Sequence, residues 1–122
     1  NHQSFVSDTL KYLKETTHQY DIIVLDPPAY AKHKKSMHKA VQGYKRLNET
    51  ALKNIKPGGI LFTFSCSQVI HRKLFYDTIM AAAISVQREV KVLYHLSQPA
   101  DHPVNIFHPE GEYLKGLVLL VE

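Results

Sequence analysis

Residues 21–30 read DIIVLDPPAY, an apolar run that ends in a carboxylate and two prolines. The near-continuous β-branched run Asp21–Leu25 is typical of a strand buried on both faces. Proline cannot donate a backbone hydrogen bond to a neighbouring strand, so Pro27 and Pro28 end this strand. Asp26 is therefore predicted to lie where the chain leaves the sheet.

A second stretch, Gly58–Ser67 (GGILFTFSCS), has the same form. Residues 60–64 predict a second buried strand, and Ser65-Cys66-Ser67 is its exit. Between the two strands, residues 38–55 carry apolar side chains at helical spacing, and Lys56-Pro57-Gly58-Gly59 is predicted to stop that helix and turn the chain.

A strand, a helix and a second strand form a βαβ unit with a right-handed crossover and parallel strands. Both strand exits then lie at the carboxyl edge of the sheet, where open α/β folds bind ligands. The sequence therefore predicts that Asp26 and Cys66 face one crevice.

The remaining segments extend this unit into an α/β domain. Residues 7–17 and 70–86 predict helices, and residues 90–95 and 113–121 predict two strands joined by the irregular loop 98–111. No helix separates the last two strands, which favours antiparallel pairing. No GxGxxG motif is present, so we interpret the chain as the second half of a larger nucleotide-binding domain.

Composition narrows the class of protein. The 122 residues are 44% hydrophobic and 21% charged, as in one soluble globular domain, and no stretch is apolar for long enough to span a bilayer. The single cysteine excludes an internal disulfide and fits a reducing, cytoplasmic location. The eight histidines show no HxxxH or HxH spacing, so no metal site is expected.

Positive charge is concentrated in one segment. The net charge is +4, and residues 31–46 hold six basic residues and no acid, directly after the double proline. Positive charge beside a crevice attracts phosphate-rich partners such as RNA. The alternative is a solvated loop with no partner.

Five segments taken together, DPPAY, GYKRLN, GGILFTFSCS, PADHPV and PEGEYLKG, give the chain its resemblance to the class I S-adenosylmethionine-dependent methyltransferases. More narrowly, the chain resembles the bacterial enzymes that form 5-methylcytosine in large-subunit ribosomal RNA with a single cysteine. The resemblance implies a Rossmann-like sheet with an antiparallel final strand. Residues 1–122 would then be the carboxyl-terminal part of one catalytic domain, and would be inactive without the missing amino-terminal strands and glycine-rich cofactor loop.

The same resemblance implies roles for individual residues. Cys66 would add to carbon 6 of cytosine, and Asp26 would contact the pyrimidine edge. Asp8, Asp26 and Pro27 would border S-adenosyl-L-methionine. Pro28 and Tyr30 would contact the substrate. Three lysines would hold phosphates of ribosomal RNA, namely Lys32, Lys34 and Lys35.

Each of these residues also has a purely structural interpretation. Cys66 would be a small apolar residue at a strand end. Asp26 would be a turn aspartate, Asp8 would cap a helix, and Tyr30 would line the core. Ala29 stands where two-cysteine RNA cytosine methyltransferases carry their second cysteine, as expected for the single-cysteine group.

Two other functions are consistent with the same residues. One is a methyltransferase acting on guanine or an exocyclic amine of RNA, with Cys66 only packing. The other is an inactive α/β packing module, dimeric through the exposed edge of its first strand. Neither involves a membrane or a metal.

Overall fold

The computed structural model describes residues 1–122 as one mixed α/β unit. Three α-helices and four strands follow one another in the predicted order, and two short 3-10 turns lie at Lys34–Ser36 and Pro109–Gly111. The elements are α1 (Thr9–Glu15), β1 (Tyr20–Leu25), α2 (Met37–Asn54), β2 (Ile55–Ser65), α3 (Arg72–Ser85), β3 (Val90–Leu96) and β4 (Lys115–Val121). None of the helices combines the length and the apolar content that crossing a bilayer requires.

The four strands form one sheet in the order β1-β2-β4-β3. Strands β1 and β2 are parallel, which confirms the predicted βαβ unit. Strand β4 is antiparallel to both of its neighbours, so the hairpin-like pairing of the last two strands is also confirmed. In this register Lys115 pairs with Ser65, at the end of β2 from which Cys66 leaves the sheet.

Helices α2 and α3 cover one face of the sheet, and a core of 19 buried apolar residues lies beneath them. The buried residues of each helix lie on one side, because residues three and four apart fall on the same face of a helix. In α2 the buried apolar residues are Ala40, Tyr44, Leu47, Ala51 and Leu52. In α3 they are Phe75, Ile79, Ala82 and Ala83.

Strand β1 is buried on one face only, so the prediction of burial on both faces was wrong. Ile23 and Leu25 are 8% and 3% exposed, whereas Ile22 and Val24 are 60% and 61% exposed. A β-branched run indicates a strand but does not say how many of its faces are covered. In this chain, helices pack on the side of Ile23 and Leu25 alone.

The turn between α2 and β2 also differs from the prediction. The helix ends at Asn54, and β2 begins at Ile55 rather than Ile60. The pairing then shifts, because Tyr20 pairs with Ile55 and Ile22 with Ile60. Residues 56–59 form the irregularity, with Gly58 at φ +81°. A Cβ on Gly59 would lie 2.9 Å from the Asp21 carbonyl oxygen, so only glycine fits there without a shift.

Candidate active site

Two residues that leave the sheet at the same edge form the centre of the candidate site. Asp26 directly follows β1 and Cys66 directly follows β2. Both line one cavity of about 540 Å³, and Cys66 Sγ lies 3.9 Å from the carbonyl oxygen of Pro27. The structure therefore brings together the thiol and the carboxylate that the strand order predicts to face one crevice. The cavity is also lined by Pro27, Pro28, Gln98, Pro99, Asp101, His102, Tyr113 and Leu114.

A second cavity lies on the other side of the Asp26-Pro27-Pro28 segment. It measures about 420 Å³ and contains Asp8 and Tyr30. Residues 26–28 line both cavities and so form a wall between them. Molecules bound in the two cavities would lie on either side of this segment, and a group would pass directly from one to the other only where they touch at its edge.

Buried hydroxyls fix the position of Cys66. The thiol itself is half-buried, but Ser65 and Ser67 on either side are 0% and 1% exposed. Ser67 Oγ donates to the Ala31 carbonyl oxygen at 2.6 Å, and Ser67 N donates to Ser65 Oγ at 3.3 Å. These bonds join the exit of β2 to the segment after the double proline, so both halves of the site are held to one another.

Lys115 supports the same exit from the neighbouring strand. Its side chain is buried, and Nζ donates to the Ser67 carbonyl oxygen at 2.7 Å. Burial lowers the pKa of Lys115 to about 8; the positive charge of Arg72 also lowers this pKa, and Cys66 opposes them. Lys115 was not predicted as part of the site, although it is the only charged residue of β4 and could have been noticed for that reason.

The long loop before β4 closes one side of the Cys66 cavity. Gln98 Oε1 accepts a hydrogen bond from Tyr113 N at 3.0 Å, and Gln98 Nε2 donates to the His102 carbonyl oxygen at 3.2 Å. Gln68 Nε2 donates to the Glu110 carbonyl oxygen at 3.2 Å. The loop is thus attached both to the start of β4 and to the segment after Cys66, although no chemistry was predicted for it.

Asp8 and Tyr30 lie in the cavity that does not contain Cys66. Asp8 caps α1, because its Oδ1 accepts a hydrogen bond from Lys11 N at 2.9 Å. The Tyr30 ring packs on Tyr44 with centroids 4.7 Å apart, and remains 41% exposed. Burial, followed by Tyr44 and Asp8, raises the pKa of Tyr30. The structural interpretations of both residues therefore describe real contacts, which does not test their binding roles.

The predicted phosphate-binding lysines follow residues 26–28 in the sequence. Lys32, Lys34 and Lys35 are exposed, and the last two lie in the 3-10 turn before α2. None of the three takes part in an ion pair. Their positive charges therefore have no acidic partner within the chain.

Cavities elsewhere on the surface lack this combination of groups. One of about 600 Å³ lies beside α1 and β1, and one of about 690 Å³ lies beside α3 and the β3–β4 pair. Neither is lined by Asp26 or Cys66. The structure brings no three histidine, cysteine or acidic side chains together as a set of metal ligands.

Solved structures that superpose on this chain define the class of fold. SMU.776, assigned as a methyltransferase and complexed with SAH, superposes with a TM-score of 0.72 at 22% identity, covering 91% of this chain and 28% of that one. A methyltransferase homologue from Pyrococcus horikoshii superposes with a TM-score of 0.67 at 20% identity, covering 97% of this chain and 44% of that one. The chain therefore has part of the Rossmann-like fold of class I methyltransferases.

Sequence relatives carry a more particular name. Ribosomal RNA large subunit methyltransferase I of Shewanella denitrificans is 41% identical over 120 residues, which is 98% of this chain. The enzyme of the same name from Pseudoalteromonas atlantica is 43% identical over 121 residues, which is 99% of this chain. The chain spans 30% of the length of each of these relatives. No protein-family model matches the chain.

Proposed function

We propose that this chain is part of an S-adenosylmethionine-dependent methyltransferase that forms 5-methylcytosine in large-subunit ribosomal RNA. The main support is the wall formed by residues 26–28, with Cys66 in the cavity on one side and Asp8 in the cavity on the other. Similarity to enzymes named ribosomal RNA large subunit methyltransferase I, over 98% of this chain, supports the RNA substrate.

The cavity on the Asp8 side suits part of the methyl donor. Apolar side chains from α1 and β1, among them Leu10, Val24 and Leu25, would face a flat aromatic ring. The Asp8 carboxylate uses Oδ1 to cap α1, so Oδ2 can accept a hydrogen bond from an exocyclic amine. Bound there, S-adenosyl-L-methionine supplies a methyl group on a positively charged sulfur. The chain itself would bind the adenine end of this cofactor, and its residues 26–28 would form the wall beside it.

On the other side, Cys66 supplies the nucleophile that cytosine needs. Carbon 5 of cytosine is a poor nucleophile until a thiolate adds to carbon 6, which turns the ring into an enamine. Cys66 and Asp26 would hold this activated base with carbon 5 against the donor's methyl group, which would leave the sulfonium as a neutral thioether. A base of the complete active site would then take the proton from carbon 5, which restores the double bond and expels Cys66 as a thiolate. The reaction leaves the protein unchanged.

Asp26 would assist at the edge of the same base. Asp26 directly follows β1 and lines the same cavity as Cys66. Its carboxylate can therefore meet the exocyclic amine or the protonated ring nitrogen of a cytosine bound over the thiol. Electrostatic stabilisation of the charge that develops on that ring is worth several kcal/mol when the group is positioned in advance.

One rival function retains a specific observation in its favour. Cys66 Sγ lies against the Pro27 carbonyl oxygen and is half-buried, which a packing cysteine would also show. A methyltransferase acting on guanine or an exocyclic amine would use the same wall without a covalent bond to sulfur. Trapping of the covalent bond separates the two reactions.

The proposal is tested with the complete protein that carries this chain, S-adenosyl-L-methionine and large-subunit ribosomal RNA containing 5-fluorocytidine. A fluorinated carbon 5 has no proton to lose after methylation, so the bond to Cys66 cannot break. We expect a protein–RNA adduct that survives denaturation, with the RNA attached at Cys66 by mass spectrometry. Cys66→Ala should form no adduct and should lower kcat on ordinary RNA by at least about 10³-fold.

The variant Cys66→Ser is the matched control for shape. Serine keeps the size of the side chain but is far less nucleophilic, so it should be as inactive as alanine while binding RNA like the unmodified protein. Methylation that persists in Cys66→Ala would overturn the covalent mechanism and favour the guanine or exocyclic-amine reaction.

A further inference from the structure

Two side chains of the Cys66 cavity can accept a proton and have no role in the steps above, namely Asp101 and His102. Both lie on the loop before β4 and line the same cavity as Cys66. His102 Nδ1 is 3.7 Å from Asp101 Oδ1, and the two side chains are 67% and 79% exposed. The cavity therefore presents an imidazole, with a carboxylate beside it, to an incoming molecule.

Hydrogen bonds fix the backbone that carries this imidazole. His102 N donates to the Pro99 carbonyl oxygen at 3.0 Å, and the His102 carbonyl oxygen accepts from Gln98 Nε2 at 3.2 Å. Gln98 Oε1 accepts in turn from Tyr113 N at 3.0 Å, just before β4. Both backbone groups of His102 are thus bonded, so the loop keeps the residue at the cavity although its side chain is exposed.

The proposed reaction requires a base on one particular side of the cytosine. When the methyl group adds to carbon 5, that carbon becomes tetrahedral, and its proton moves to the face of the ring turned away from the donor. The donor would lie in the Asp8 cavity, on the other side of residues 26–28. The base should therefore come from the part of the Cys66 cavity that the two cavities do not share.

Few groups in that part of the cavity can serve as the base. Asp26 belongs to the shared wall, and Cys66 is bonded to carbon 6 during this step. A phenol becomes a base only in alkaline solution, which sets Tyr113 aside. Of Asp101 and His102, the imidazole is better matched to the task, because imidazole gains and loses a proton near neutral pH whereas a carboxylic acid forms only in acid solution.

We propose that His102 is the base that takes the proton from carbon 5 of the methylated cytosine. With a proton on Nδ1 beside Asp101, Nε2 has the free electron pair that accepts this proton. The electrons of the broken bond to hydrogen form the double bond between carbons 5 and 6. The bond from carbon 6 to Cys66 Sγ then breaks, and the sulfur leaves as a thiolate. Asp101 stabilises the imidazolium until it gives its proton to water.

The inference rests on the proposed function, because it takes the covalent bond to Cys66 as given. It is tested with the complete protein, S-adenosyl-L-methionine with a radiolabelled methyl group, and large-subunit ribosomal RNA with tritium on carbon 5 of its cytidines. His102→Gln should transfer the methyl group in a first turnover, but should release tritium to water at least about 10²-fold more slowly than the unmodified protein. A methylated protein–RNA adduct that survives denaturation should therefore accumulate without 5-fluorocytidine.

Two further variants serve as controls. His108 lies on the same loop with Glu110 at 3.1 Å but does not line the Cys66 cavity, so His108→Gln should release tritium like the unmodified protein and accumulate no adduct. The double variant His102→Gln/Cys66→Ala should also accumulate none, because the RNA is held through the sulfur.

Three results would overturn the role of His102. The first is tritium release from His102→Gln at the unmodified rate. The second is loss of the first methyl transfer in this variant without an adduct, which would place the residue at an earlier step. The third is an adduct in Asp101→Asn but not in His102→Gln, which would assign the base to the carboxylate. By contrast, absence of an adduct between the unmodified protein and 5-fluorocytidine RNA would overturn the proposed function itself.

Discussion

At the scale of single residues, the candidate site consists of two side chains that follow neighbouring strands, with a buried lysine on the next strand. Asp26 and Cys66 were found because each directly follows an apolar strand, and the connection of parallel strands brings such positions to one edge. Lys115 was not found, because its burial depends on how α3 and the loop before β4 pack around the end of the strand. Lys115 is the first residue of β4, a strand for which no role in the site was predicted.

The buried ammonium of Lys115 should make stability depend on pH. Its pKa is lowered from the ordinary 10.5 to about 8, so between these values the unfolded chain binds more protons than the folded protein. The free energy of unfolding contributed by Lys115 therefore rises with pH across this window. Below it, the lysine costs the folded state up to about 3 kcal/mol.

As the pH rises from about 8 to 10.5, the unmodified protein should gain free energy of unfolding relative to Lys115→Met. Urea titrations across this range measure it. Lys53→Met, at an exposed position near the end of α2, is the control and should show no trend. A constant difference for Lys115→Met would contradict the lowered pKa.

At the scale of secondary-structure elements, period and composition located every helix and strand but not the environment of each. β1 was correctly predicted as a strand and incorrectly as a strand covered on both faces. Alternation of polar and apolar residues would have indicated a half-exposed strand, but Ile22 and Val24 are apolar although they face outward. The irregularity at residues 56–59 was missed for a related reason, since glycine and proline indicate a turn without saying that pairing resumes around it.

The lysine-rich segment between β1 and α2 is an element whose function can be measured as a unit. We expect replacement of Lys32, Lys34 and Lys35 by glutamine in the complete protein to weaken RNA binding and to flatten its salt dependence. The slope of log K against log salt should fall by roughly 0.7 to 0.9 for each phosphate that the variant no longer binds. Filter binding at several salt concentrations measures this slope.

A matched control uses three exposed lysines near the opposite, amino edge of the sheet, Lys14, Lys53 and Lys56. Changing these to glutamine alters the net charge by the same amount, so an effect of overall charge alone would appear in both triple variants. Equal slopes in the two variants would show that the segment before α2 holds no phosphates.

At the scale of the whole molecule, the sheet depends on its last strand. β4 separates β2 from β3 and pairs with both, and β3 has no other neighbour. We expect removal of residues 115–122 to abolish the cooperative thermal transition measured by circular dichroism. Removal of the exposed residues 1–4 should change the free energy of unfolding by about 0.5 kcal/mol or less. A cooperative transition in the first variant would contradict this dependence.

The position of β4 also determines when the protein can fold as it is being made. The residues of β3 leave the ribosome before β4, the only strand with which they pair, and Lys115 reaches Ser67 only when that later segment emerges. The thiol at Cys66 is therefore synthesised early but acquires its complete surroundings late. Until β4 emerges, the nascent chain carries the reactive Cys66 thiol beside an incomplete sheet. At that stage the thiol is most accessible to chaperones and oxidants.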